Sequence, residues 1–172
     1  MKIAIIGAGN VGGALAAKWS KVGHTVIVAG RDEAKTKAKA EQTGATAASP
    51  KNAAANADVL VFAVPFADLV EVAKTAGDLV GKILIDATNI VGPSARTSES
   101  PALALAKAIP GAKVVKTFNT AFAQIHADQH LPRLRSGEEG PVLLLLQTLT
   151  PAESGWCGRL GRGGVEVAYR KE

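Results

Sequence analysis

The residues Gly7-Ala8-Gly9-Asn10-Val11-Gly12 carry glycine at the first, third and sixth positions. That spacing serves one kind of chemistry, the cradling of a dinucleotide pyrophosphate. Gly7 makes a tight turn, where φ can be positive without steric cost. Gly9 has no Cβ, so backbone can approach a phosphate closely. Gly12 lets a helix pack against the preceding strand. A lone match to this spacing is a weak signal. Here the apolar run Ile3 to Ile6 precedes it, and the helix formers Ala14-Leu15-Ala16-Ala17 follow. The order is strand, turn, helix. The helix then aims its unpaired N–H groups and positive dipole end at the anion.

A second group of chemical interest lies one strand later. Thr25 to Ala29 reads as a strand, followed by Gly30-Arg31-Asp32. Folds that select NAD place an acidic side chain near this point for the ribose 2′-hydroxyl. Ala29 and Gly30 can make no such bond and repel no phosphate. Arg31 offers a guanidinium fork, which suits a 2′-phosphate. The expected ligand is therefore NADP(H). Asp32 reads as the N-cap of the next helix.

Three further strand ends deliver polar or ring-bearing residues toward one rim. Val59 to Val64 is a continuous apolar run, read as a buried parallel strand that Pro65 ends, with Pro65-Phe66 lining the crevice. Lys82 to Asp86 is the next strand, and Ala87-Thr88-Asn89 leaves its carboxyl end. Lys113 to Lys116 is another, followed by Thr117-Phe118-Asn119-Thr120. Lys116 itself reads as a solvated strand-end charge.

The elements that must hold these residues follow from pattern and punctuation. Helices are expected over Asn10 to Val22 (stopped by Gly23), Asp32 to Gln42 (ended near Gly44) and Ala67 to Ala76 (closed by Gly77). Ser49-Pro50 reads as the N-cap and first residue of a short helix to Asn56. Ser100-Pro101 begins another to Ile109. Ala45 to Ala47 is a short third strand, and Gly92 to Ser98 a loop. The fold expected is α/β: a three-layer, Rossmann-type, doubly wound and mainly parallel sheet that binds NAD(P).

Composition supports that class. Aromatic residues make up only 4% of the 172, too few for the stacking platforms of nucleic-acid binders. The net charge of +5 is spread along helices, as at Lys35, Lys37 and Lys39, and favours anionic ligands through its long-range field. Cys157 is the single cysteine, so no internal disulfide forms, which fits a reducing, cytoplasmic setting. The lysine and apolar run at the start resemble a leader peptide. Cleavage there would remove the glycine turn, so no leader is expected. No apolar run approaches the roughly 18 residues of a membrane span.

As an ordered set, M-K-I-A-I-I-G-A-G-N-V-G, A-G-R-D, A-V-P, D-A-T-N and V-V-K-T-F-N-T resemble the NADP oxidoreductases dependent on coenzyme F420, a deazaflavin. They also look like the NADPH-binding domain of the six-span membrane ferric reductases. The likeness covers about residues 1 to 126. It implies a Rossmann domain holding NADPH, and hydride transfer to a flat deazaflavin or flavin. By that likeness Gly7, Gly9, Asn10, Val11 and Gly12 meet the pyrophosphate, and Arg31 meets the 2′-phosphate. Val64, Pro65, Asn89, Phe118 and Asn119 line the nicotinamide side. The partners implied are a small-molecule redox acceptor and a second copy of the chain; neither nucleic acid nor a membrane is expected. One departure is Thr88-Asn89-Ile90-Val91, where the family usually has proline after the asparagine.

The larger departure is the tail. Residues 1–130 read as the NADP-binding domain, and 131–172 as an atypical segment that extends or covers it. Arg31 and Arg96 are the only arginines before Arg133, and five lie from Arg133 onward. Glycine becomes dense. This is a divergent or frame-shifted end, which re-reading the coding sequence would settle. Val142 to Leu146 and Val165 to Ala168 are candidate strands, and Gly158 to Gly164 reads as a flexible loop.

No catalytic side chain is expected. Hydride transfer between flat cofactors requires alignment at about 3–3.5 Å and exclusion of water, not a general acid or base. A hydroxy-acid dehydrogenase needs such a group. His126 and His130 are read on an exposed helix face, away from any strand end. Their i, i+4 spacing lacks the glutamate and third ligand of a zinc site, so no metal is expected. The rival expectation is a non-catalytic NADP-binding module or redox-partner subunit. A third is an NADPH-dependent ferric or quinone reductase domain.

Overall fold

The structure is a computed structural model that describes residues 1–90, 100–118, 156–160 and 166–170, the last two segments by their backbone. Six strands form one sheet in the order β3-β2-β1-β4-β5-β6. They are β1 (Lys2–Ile6), β2 (Thr25–Ala29), β3 (Thr46–Ala48), β4 (Val59–Phe62), β5 (Ile83–Asp86) and β6 (Lys113–Lys116). All five pairings are parallel. The helices between them are α1 (Asn10–Lys21), α2 (Glu33–Thr43), α3 (Pro50–Ala55), α4 (Phe66–Thr75) and α5 (Pro101–Ala108). This is the doubly wound α/β fold expected from the sequence.

Strand periodicity explains the layers. Alternate side chains of a strand point to opposite faces. Ile3 and Ile5 join Val28, Val61 and Leu15 of α1 on one face. Ala4 and Ile6 join Leu60, Phe62 and Leu84 on the other, under Leu69 of α4 and Leu105 of α5. Both faces are covered, so these strands are apolar throughout rather than alternating. Small alanines such as Ala16, Ala53 and Ala73 let the helices lie close.

The helix ends follow their caps. The Lys35 amide donates to Asp32 Oδ1 at 2.9 Å, and the Asn52 amide to Ser49 Oγ at 3.3 Å. Gly44 ends α2 in the left-handed region at φ +68, which glycine adopts freely. Most element ends fall within one residue of expectation, as β3 at Thr46–Ala48 and α4 at Phe66–Thr75 show; the end of β4 departs further. β4 stops at Phe62, two residues before the apolar run does, and Pro65 is the N-cap of α4 rather than a bare strand terminator.

A separate antiparallel pair comprises β7 (Trp156–Leu160) and β8 (Glu166–Arg170). The strand expected over Val165 to Ala168 is therefore present, displaced by one or two residues. The loop expected over Gly158 to Gly164 is corrected in part, because residues 158–160 are strand. Glycine density suggested a loop, but Gly158 and Leu160 pair with Ala168 and Glu166 across the ladder. The Gly92–Ser98 loop, the His126/His130 pair and the Val142–Leu146 strand lie outside the described residues.

Candidate nucleotide site

β1 lies between β2 and β4, so chain connections leave its carboxyl end in opposite directions on either side. Such a switch point opens a crevice. Backbone bonds tie the strand ends together there. The Gly7 amide donates to the Ala29 carbonyl at 2.8 Å, and Ala63 to Ile6 at 2.9 Å. Ala87 donates to Phe62 at 3.0 Å, and Thr117 to Asp86 at 3.1 Å.

The three glycines do different work. Gly7 sits at φ +125, and a Cβ there would meet the Ala63 carbonyl oxygen at 2.2 Å. A Cβ at Gly12 would meet the Gly7 oxygen at 1.9 Å. Both are demanded by the protein's own packing. Gly9 is different: it is exposed, and a Cβ there would have nothing within 4 Å. No contact among the described residues requires glycine at that position. Gly9 is also the N-cap of α1, which has no side-chain cap and no acidic residue in its first turn.

A cavity of about 420 Å³ opens beside this turn. Gly7, Gly9, Arg31, Val64 and Pro65 line it, together with Gly30, Asp68 and Glu71. The structure thus brings five of the candidate residues to one space. Asn10, Val11 and Gly12 stand in the first turn of α1 next to it, without lining it. Asn89 is exposed beyond the end of β5. Phe118 is half-buried, at φ +62, and its ring packs edge-on against Trp19 with centroids 6.0 Å apart. Asn119 lies outside the described residues. A larger cavity, about 910 Å³, lies between α2 and β3 and shares Gly30 and Arg31 but none of the glycine turn.

Two interactions escape a reading of the sequence. Lys116 is not a solvated charge. Its side chain is 14% exposed, and its Nζ lies 3.0 Å from Oδ2 of Asp86, whose side chain is fully buried. That contact is an ion pair rather than an aligned hydrogen bond. Lys116 Nζ also donates to the Thr88 carbonyl. The Asp86 Oδ1 atom accepts from the Thr88 amide at 2.9 Å and from its hydroxyl at 2.6 Å. The signal was available: two strands of four residues end in opposite charges, and parallel pairing aligns Asp86 with Lys116. The second interaction joins Arg31 to Asp68 of α4. Arg31 Nη2 donates to Asp68 Oδ2 at 2.9 Å across the mouth of the cavity.

Among the described residues, no group of three His, Cys, Asp or Glu is placed to hold a metal. Nor is any helix there long and apolar enough to cross a membrane.

Sheet order, glycine turn and crevice define a dinucleotide-binding α/β protein. Residues 2–90 match the model of the family described as NADP oxidoreductase, coenzyme F420-dependent. The chain belongs to that family. Among solved structures it is similar to a hypothetical protein, SMa0349, from Sinorhizobium meliloti, at 32% identity and a TM-score of 0.66, over 74% of this chain and 66% of that one. It is similar to a candidate F420-dependent NADP-reductase from Arthrobacter sp. FB24 at 30% identity and a TM-score of 0.65, over 73% of this chain and 65% of that one. A reductive aminase from Aspergillus terreus, solved with NADPH and ethyl levulinate, aligns at 29% identity and a TM-score of 0.59, over 72% of this chain and 42% of that one. The chain thus spans just under two thirds of the first two structures. No curated protein sequence matches it.

Proposed function

We propose that this chain binds NADP(H) in the crevice at the end of β1 and passes hydride to a deazaflavin or flavin acceptor of the coenzyme F420 type. One observation carries the reading: Gly9 is glycine where no contact among the described residues calls for it. The open space over Gly9 and the uncapped first turn of α1 suit a pyrophosphate. Gly7, Gly9, Asn10, Val11 and Gly12 would hold that group. Arg31 at the rim, with Gly30 in place of an acid, would hold the 2′-phosphate. Val64, Pro65, Asn89, Phe118 and Asn119 would line the nicotinamide side.

Bound NADPH supplies the hydride. In the overall reaction NADPH becomes NADP⁺ while the acceptor takes a hydride from it and a proton from water. The chain's own task is to orient and to exclude water. Strand ends tied by backbone bonds suit that task, since rigid elements hold geometry better than loops. Residues 131–172 would extend or cover the same domain, and the same proposal takes the chain to be cytoplasmic and to admit a homodimer.

Mixing the full chain with NADPH and coenzyme F420 tests the reaction. Loss of absorbance from both partners, catalytic in protein, is the expected result. Tight NADPH binding with no oxidation by F420, flavin mononucleotide or a quinone would replace the enzyme with a nucleotide-binding module.

A further inference from the structure

We propose that Asp68 is a specificity-determining residue, which competes with the nucleotide's 2′-phosphate for Arg31. The proposal rests on the reading above that Arg31 meets this phosphate. The cavity has two charged walls. Arg31 and Lys35 stand on the side of β2 and α2, with Asp32 between them accepting from the Lys35 amide as the cap of α2; Asp68 and Glu71 stand one helical turn apart on α4. The gap is bridged by the 2.9 Å pair between Arg31 and Asp68, residues 37 apart in sequence.

Asp68 is the better held of the two. It sits in the first turn of α4, where the helix dipole favours a carboxylate, and its amide donates to the Pro65 carbonyl at 3.0 Å. Its side chain is 28% exposed, against 77% for Arg31. The arginine is therefore the mobile partner, and a phosphate that engages it must break or share the pair. A phosphate monoester carries close to two negative charges near neutral pH, so it also meets direct repulsion from Asp68. A ribose 2′-hydroxyl meets neither cost, and can donate to a carboxylate. Asp68 thus supplies an acidic group from α4 beside Arg31, whereas Asp32, after the end of β2, is engaged by the Lys35 amide. It narrows the preference for the phosphorylated nucleotide that Arg31 alone would set.

Both partners are at the surface, so the effect is moderate. Asp68→Asn keeps the shape of the side chain and removes its charge. Calorimetry with 2′,5′-ADP and with 5′-ADP reads the adenosine end without the nicotinamide. In the full-length protein, Asp68→Asn should tighten 2′,5′-ADP by about three- to fivefold and change 5′-ADP by less than twofold. The gain should shrink at high salt. It should vanish in the Arg31→Ala background. Unchanged or weaker binding of 2′,5′-ADP by Asp68→Asn, while Arg31→Ala alone weakens it, would overturn the role of Asp68 and leave the Arg31 reading standing. If Arg31→Ala alone leaves 2′,5′-ADP binding intact, the Arg31 reading fails and the competition with it.

Discussion

Replacing Lys116 with methionine should cost the protein about 3 kcal/mol of stability, as the shift of its denaturant midpoint will show. The reason is the company Lys116 keeps. Asp86 is fully buried, and its Oδ2 faces the Lys116 ammonium. Removing one member of a buried pair strands the other, which typically costs about 3–5 kcal/mol. The lower end applies here because Lys116 keeps slight access to water. Domains are stable by only about 5–15 kcal/mol, so the loss is large. The variant also deletes the bond to the Thr88 carbonyl, next to Asn89, so NADPH affinity should fall with stability. The double variant Asp86→Asn, Lys116→Met should recover much of the loss, since no charge is then left unpaired. A single variant that unfolds within about 0.5 kcal/mol of the parent would show that the pair contributes little.

Alanine at Gly12 and alanine at Gly9 should fail in different ways. At Gly12 the new methyl meets the Gly7 carbonyl oxygen at 1.9 Å and Ile5 Cγ2 at 3.2 Å, so α1 must move off β1. Overpacking of this kind costs about 1–3 kcal/mol, beyond what alanine's helix propensity returns. Nucleotide binding should drop more than tenfold, because the turn itself is distorted. At Gly9 the methyl meets nothing within 4 Å among the described residues, and the extended backbone (φ −80) accepts alanine. Stability should stay within about 0.5 kcal/mol of the parent. NADPH binding should still fall about tenfold or more, because the methyl occupies the approach to the pyrophosphate. Gly9→Ala with full NADPH affinity would mean that the phosphates lie elsewhere.

The parts of this molecule that sequence reveals are those that chemistry fixes locally. Asp32 and Ser49 cap their helices because a short oxygen side chain three residues before an amide can do so without help from the rest of the fold. Gly7, Gly9 and Gly12 are legible because their spacing is set by one turn and one helix start. The hidden parts depend on register and distance. Lys116 reads as a surface charge until β6 is laid beside β5, when Asp86 falls opposite. Arg31 and Asp68 meet only because α4 starts after the end of β4, which flanks β1 on the side opposite β2, so that the two residues face each other over the end of β1. β7 was masked by its glycine, since strand pairing is a long-range property that local composition does not carry. β4 ends early because Ala63 and Val64 already belong to the turn toward Pro65 and the cavity.

Titration calorimetry of the full chain with NADPH and with NADH, on the parent and on Arg31→Ala, bears most directly on the central claim. The parent should bind NADPH at least tenfold more tightly than NADH, and Arg31→Ala should erase most of that margin while leaving NADH nearly unchanged. Absence of heat with either nucleotide on folded protein, or equal losses for both in the variant, would contradict it.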